Sequence, residues 1–344
     1  MGLWVTKGES VQRTSEGTAD RVWRLPEPSG PWPPDALALL EYANVCAWKA
    51  TDPVLLELAR LTAASLVGNN AGQSRRSGTA RRRGLSEQKI TSLGNYFGSD
   101  RFDERERECL RFVEQFVLDV SGVTDADRSA LRRVLGDETE RFVTSLYITE
   151  FSQRLEMMSS LLLGEAGPES APLSEACSSD VEPRLALANY QDAVVRGNAL
   201  DPVLTEMVRL RCARTHNCRI CQTLRLVDAL VAGADEEMAA KIDFYEKSDL
   251  SERTKVALRV TDAFITRPDT LPDASVTEAR SMFSREELAE LCLDITKWST
   301  QKIHVALGTD GADRLPIDEN GVSYFQFAGD GKVAGFAARA DALQ

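Results

Sequence analysis

The chain repeats itself, and that constrains its fold more than any other feature. Asp52-Pro-Val-Leu-Leu-Glu57-Leu-Ala-Arg-Leu61 returns as Asp201-Pro-Val-Leu-Thr-Glu206-Met-Val-Arg-Leu210, at an offset of 149 residues. Between positions 52 and 76, ten of twenty-five residues are identical to their counterparts. The match continues through Gly84 and Gly233. After a one-residue shift it pairs Glu104-Arg105 with Glu252-Arg253, Phe116 with Phe264 and Gln153 with Gln301. A period of this length is a duplicated domain rather than a solenoid unit. The 344 residues are also the length of two ordinary domains.

Composition narrows the class. Apolar residues make up 43% of the chain and aromatics 7%, and alternating runs are scarce, so the cores are expected to be helical. The reading is all-α with two tandem copies. Residues 1–34 form an extended arm ending in Pro-Glu-Pro-Ser-Gly-Pro-Trp-Pro-Pro, which cannot continue a helix and is expected either to pack on the surface through Trp23 or Trp32 or to be disordered. The first copy takes 35–163 and the second 184–312. A Gly-, Ser- and Pro-rich linker over 164–183 divides them. The tail, 313–344, holds Val322-Ser-Tyr-Phe-Gln-Phe327 and Lys332-Val-Ala-Gly-Phe336 around Ala-Gly-Asp-Gly, which is hairpin chemistry.

No window approaches twenty uninterrupted apolar residues, so no membrane span is expected. The amino terminus lacks a secretion signal's apolar core, which points to the cytoplasm; its Met-Gly-x-x-x-Thr acylation pattern is taken as coincidence. The net charge of -12 argues against a nucleic-acid partner. The basic run Ser74 to Arg83 lacks interleaved aromatics and is read as a solvated or inter-domain face. Seven cysteines do not make a disulfide scaffold. Cys46, Cys109, Cys212 and Cys292 are expected as buried apolar side chains, and Cys177 falls in the linker.

The chemistry concentrates in Glu206-Met-Val-Arg-Leu-Arg-Cys-Ala-Arg-Thr-His-Asn-Cys218-Arg-Ile-Cys221-Gln-Thr-Leu-Arg225. Apolar residues at Met207, Leu210 and Ala213, then at Ile220, Leu224, Val227 and Leu230, predict two helices about a polar turn at Thr215-His216-Asn217. If those helices run antiparallel, Glu206 lies opposite Arg225 and about one turn, roughly 6 Å, from Cys221. A CxxC at a helix start favours thiolate through the first-turn amides and the dipole. With only His216 and His304 as further soft ligands and no second CxxC, no metal is expected.

The spacing Glu, eleven residues, CxxC, three residues, polar side chain resembles the alkylhydroperoxidase D-like branch of the carboxymuconolactone decarboxylase family. The resemblance covers roughly residues 35–310. It implies an all-helical fold, a redox-active cysteine pair needing no other cofactor, and dithiol-dependent reduction of hydroperoxides as an antioxidant oxidoreductase. By position, Cys221 would attack the peroxide, Cys218 would resolve, and Glu206 would feed a proton relay. An external dithiol would be the reductant, and a dimer or trimer the assembly. The family's relay histidine is replaced by Arg225, which cannot act as general base. In the first copy Cys218 and Cys221 become Asn69 and Gly72, whereas Glu57 and Arg76 remain. A carboxylate and guanidinium that outlast the thiols suggest a structural ion pair, Glu206 with Arg225; in a compatible functional reading Arg225 also holds Cys221 as thiolate. Near the second copy's end, Lys297, Trp298 and His304 are candidates to border a pocket with His216; the alternative is an ordinary amphipathic helix with its polar side outward. Two other functions stay open: a small-molecule tailoring enzyme of decarboxylase or isomerase type, and a non-catalytic helical assembly module.

Overall fold

The computed structural model describes residues 32–164 and 181–339. Most of the arm, with Trp23, and most of the linker, with Cys177, lie outside the described residues.

The protein is helical with one small sheet, and its helices recur in the order the duplication demands. The first copy runs Pro34–Ala50, Pro53–Leu66, Asn70–Ser74, Gly78–Arg82, Glu87–Thr91, Glu104–Leu118, Asp125–Leu135 and Thr139–Leu163. The second runs Pro183–Val194, Pro202–Thr215, Arg219–Thr223, Val227–Val231, Glu236–Lys241, Glu252–Ile265, Asp273–Met282 and Arg285–Trp298. A 3-10 turn, Ser299–Gln301, and the helix Lys302–Leu307 complete it, so the last long helix is continuous in the first copy and broken in the second.

Local chemistry explains why equivalent helices start together. Asp52 and Asp201 cap their helices, accepting from Val54 N at 2.9 Å and Leu204 N at 2.9 Å, and proline comes directly after each cap. An aspartate cap with proline in the first turn satisfies a free amide and presets the backbone. These helices end alike too. The turn needs a left-handed residue, supplied by Gly68 (φ 79°) in the first copy and Asn217 (φ 51°) in the second; glycine and asparagine are among the residues that tolerate it best.

The sequence predicts two domains divided by a linker, but the packing joins them. One continuous cluster of buried apolar residues runs from Trp32 through Phe151 and Phe264 to Phe325. Helix Pro34–Ala50 packs on Pro183–Val194, and Thr139–Leu163 packs on Arg285–Trp298. Pro183 already lies in a helix, so the linker ends earlier than its composition suggests. Trp32 is buried in the cluster, as expected of the arm's end.

Charge locks the junction. Glu150, fully buried, accepts from Arg154 Nε at 2.9 Å and from Lys302 Nζ at 2.8 Å on both carboxylate oxygens. Arg154 also donates to the carbonyls of Phe264 and Thr266 at 3.0 and 2.9 Å, ending a helix of the other copy. The exchange is reciprocal at the helix ends. Arg128 of the first copy donates to the carbonyls of Val305 and Ala306, both at 3.0 Å, and Arg280 of the second to those of Leu161 and Leu162 at 2.7 and 3.1 Å. Guanidinium groups there satisfy orphan carbonyls and oppose the negative end of the helix dipole.

The hairpin is present, with β2 (Ser323–Phe327) antiparallel to β3 (Val333–Ala337). The sheet also has a third strand that sequence pattern does not predict. This strand, β1 (Leu224–Leu226), pairs in parallel with β2, Leu224 opposite Ser323 and Leu226 opposite Phe325. The tail is therefore fastened to the residues just beyond the CxxC. Among the described residues, no helix is long and apolar enough to cross a membrane.

A shared core should melt as a unit, so scanning calorimetry is expected to give one cooperative transition, and two resolved transitions would contradict it. Glu150→Gln strands two buried cations and should cost about 3–5 kcal/mol, measured by urea unfolding.

Candidate functional site

The second helical segment of the CxxC hairpin is shorter than the sequence predicts. It stops at Thr223 and the chain becomes β1. Arg209 is the reason. From the preceding helix its guanidinium donates to the carbonyl of Cys221 at 3.0 Å and to that of Leu224 at 2.6 Å. Both carbonyls would otherwise be free to continue the helix. Glu206 holds the guanidinium in place with contacts of 2.6 and 2.7 Å, and also accepts from Leu226 N at 3.4 Å.

The first copy repeats this arrangement atom for atom. Arg60 bonds Glu57 at 2.7 and 3.0 Å and donates to the carbonyls of Gly72 and Arg75, both at 2.9 Å, while Ser77 N donates to Glu57 at 2.8 Å. Both pairs are buried. The expected pairing of Glu206 with Arg225 is therefore corrected. Glu206 is satisfied by Arg209, three residues on, and Arg225 binds Glu236 at 2.6 and 2.9 Å. Arg76 and Glu87 form the same outer pair in the first copy, at 3.3 Å. The sequence carries a signal for both pairs: Arg60 and Arg209 match in the repeat, as do Glu87 and Glu236.

Cys218 and Cys221 are joined as a disulfide. Cys218 caps the Arg219–Thr223 helix, its sulfur accepting from Cys221 N at 3.4 Å. It is 0% exposed and Cys221 6%, so Cys221 is the sulfur-bearing residue nearer the surface. A loop from the end of the chain's last helix clasps the start of this helix. Asp310 accepts from Arg219 N and, through its carbonyl, from Ile220 N, both at 3.0 Å, and binds the Arg219 guanidinium at 2.9 Å. The first-turn amides are thus already occupied, which limits the pull of this helix end on a thiolate.

In the first copy the space is filled differently. A side chain on Gly72 would meet Gln153 Oε1 at 2.6 Å and Asn69 at 2.8 Å. Gln153 thus stands where a side chain at position 72 would go, and its counterpart Gln301 lies in the 3-10 turn Ser299–Gln301.

The remaining candidates separate. His216 is buried; its Nε2 makes no hydrogen bond among the described residues, and its ring meets Phe151 edge-on at 6.4 Å. Burial, then the charges of Lys302 and Arg154, push its pKa far down. His304 Nδ1 lies 3.0 Å from Thr309 Oγ1, and burial lowers its pKa as well. By the repeat, His304 takes the position of Glu156, which in the first copy lies 3.5 Å from Asn69 Nδ2, the counterpart of Cys218. Lys297 and Trp298 are buried rather than outward, which overturns the amphipathic alternative for this stretch. They lie behind the CxxC helix, where Arg209 faces the Trp298 ring at 6.0 Å. Cys46, Cys109, Cys212 and Cys292 are buried and outside the disulfide, as expected. Among the described residues, no three His, Cys, Asp or Glu side chains group as a metal site requires.

Fold and site together define a helical, internally duplicated protein with a cysteine pair in one copy only. The chain belongs to the family of two proteins of Mycobacterium tuberculosis, Uncharacterized protein Rv2313c of strain ATCC 25618 / H37Rv and Uncharacterized protein MT2376 of strain CDC 1551 / Oshkosh. It is 37% identical to each over 230 residues, 64% of this chain and 81% of theirs. No family model and no solved structure matches the chain.

Two predictions test the electrostatics. Arg209→Met, like Arg60→Met, leaves a buried carboxylate unpaired and should cost about 3–5 kcal/mol in urea unfolding. Arg225→Ala loses a pair whose Glu236 is half exposed and should cost about 1 kcal/mol. The second concerns Asp294, whose carboxyl burial pushes up to about 8. The native state then keeps a proton that the unfolded chain releases from about pH 4 upward. That stability is full below about pH 4 and is lost as pH rises through 8. Asp294→Asn should therefore gain on the natural protein between pH 5 and 8 by about 1 kcal/mol per pH unit, measured by urea unfolding at each pH.

Proposed function

We propose that the protein is a dithiol–disulfide oxidoreductase that reduces hydroperoxides through Cys218 and Cys221. One observation carries this reading: the two copies share the same Glu–Arg frame, and only the second sets a cysteine pair, closed as a disulfide, upon it. A frame that stands without cysteines does not need the disulfide for support, which leaves chemistry as the pair's use.

In the reduced protein the Cys221 thiolate attacks the peroxide oxygen, the O–O bond breaks and the alcohol leaves with a proton. Cys218 then attacks the sulfenic acid, releasing water and closing the disulfide, and an external dithiol resets the pair. Exposure favours Cys221 as the attacking sulfur. Glu206 and Arg225 are engaged elsewhere, so neither serves as relay. His304, whose pKa burial lowers and whose repeat counterpart Glu156 lies 3.5 Å from Asn69 Nδ2, is the better candidate to take a thiol proton.

Reduced protein treated with one equivalent of cumene hydroperoxide should lose two titratable thiols and regain them with dithiothreitol. The reading fails if thiol loss is absent, or if it proceeds unchanged in Cys218→Ser. His304→Gln should slow the loss by about tenfold or more.

A further inference from the structure

The helix Arg285–Trp298 is buried continuously from Leu288 onward. Of its polar side chains, Glu290 has a clear structural duty, accepting the amides of Ala199 and Leu200 at 2.8 and 3.1 Å. Lys297 has none of this kind. Among the described residues its Nζ makes no hydrogen bond or ion pair. It lies instead 2.9 Å from the centroid of the Trp298 ring and 4.9 Å from that of Phe327.

The walls around it are aromatic. Phe327 meets Phe325 edge-on at 5.3 Å, and Arg209 faces Phe325 at 5.6 Å. Trp298 Nε1 is buried with no acceptor among the described residues. A lysine so placed has water removed, a cation nearby whose own charge is taken by Glu206, and no oxygen holding its protons. Burial pushes its pKa well down; Asp294 pulls it the other way, Arg209 adds a smaller push down, and Asp192 and Glu206 pull up less still. The lower the charged fraction of an amine in an apolar setting, the better it attacks a carbonyl carbon. Asp294 is three residues earlier on the same helix, one turn or about 5–6 Å away, and its raised pKa leaves it able to give a proton near neutrality.

We propose that Lys297 is a second reactive centre of this protein, one that captures a small aldehyde or ketone as a Schiff base, with Asp294 as its proton donor. The Nζ lone pair forms the N–C bond as the C=O π pair moves onto oxygen. Asp294 protonates that oxygen and recovers a proton from nitrogen, giving the carbinolamine. A second such transfer expels the hydroxyl as water while C=N forms. The two hydrogens of the amine leave with the carbonyl oxygen, Asp294 ends as it began, and nothing is oxidised or reduced.

The amine is confined to the copy that bears the disulfide, because the first copy has Thr149 at this position. Arg209 lies between the two centres, donating to the Cys221 carbonyl while facing the aromatic wall. The capture step nevertheless needs no cysteine, so it stands or falls apart from the peroxidase reading.

Full-length protein is treated with limiting propanal and cyanoborohydride near neutral pH, digested, and mapped by mass spectrometry. The expected result is N-propyl label on Lys297 at least about tenfold ahead of exposed lysines such as Lys332, unchanged in Cys218→Ser. Label on exposed lysines with Lys297 unmodified, or no faster than they are, overturns the proposal. Lys297→Arg should remove the label, and a label of the same rate at that peptide would show the mapping to be wrong and overturn it equally. Asp294→Asn should slow labelling of Lys297 by about tenfold or more; an unchanged rate overturns the part assigned to Asp294.

Discussion

The rest of the structure depends on a carboxylate and a guanidinium three residues apart on one helix, out of water, gripping the backbone of the next segment. Removing such a pair's charges from water is expensive, and the attraction between them rarely does more than offset that cost. Its value here is geometric. Arg60 and Arg209 each take two carbonyls, and Glu57 and Glu206 each take an amide just beyond. A five-residue helix would be far too short to hold itself; these contacts fix its length and the path of the chain beyond it. The strand β1 exists because the helix is stopped, and β1 is where the tail attaches.

The second level of organisation is the junction. Two copies that were merely strung together could drift apart, but here each sends arginines to the helix ends of the other, around a buried Glu150 shared by Arg154 and Lys302. Arg154 and Lys302 are themselves counterparts in the repeat. Burial pushes Lys302 down to about 8 even beside its carboxylate, so the junction is held by specific geometry and not by a surplus of favourable charge. Symmetry at the junction coexists with asymmetry at the sites, where one copy carries a disulfide and a solitary amine and the other an amide and a glycine.

Much of this is legible in the sequence. Helical class, duplication, the hairpin and the buried single cysteines come from spacing and composition, which report local periodicity well. Where sequence pattern misleads, one specific contact decides. An antiparallel pairing puts Glu206 against Arg225, yet an i,i+3 partner is closer and matched in both copies, as Glu57–Arg60 shows. The run through Leu224 and Val227 has helical period, but the hydrogen bonds that would extend the helix go to Arg209. A linker composition reads as a boundary between cores, although composition says nothing of whether the flanking faces are apolar towards each other. The family resemblance marks Lys297 as a pocket residue; that its close neighbours are rings cannot be read from one helix, because Phe327 comes thirty residues later.

The break in the last helix of the second copy has a consequence for the history open to this chain. In the first copy Gln153 fills the space opposite Gly72, and the helix carrying it runs unbroken. Placing cysteines at 69 and 72 alone would drive a side chain into that glutamine. The glutamine tip would have to turn aside; its counterpart Gln301 lies in the 3-10 turn Ser299–Gln301. A cysteine pair in the first copy therefore needs a neighbour to rearrange as well as two substitutions, so the halves differ here in packing as well as in sulfur.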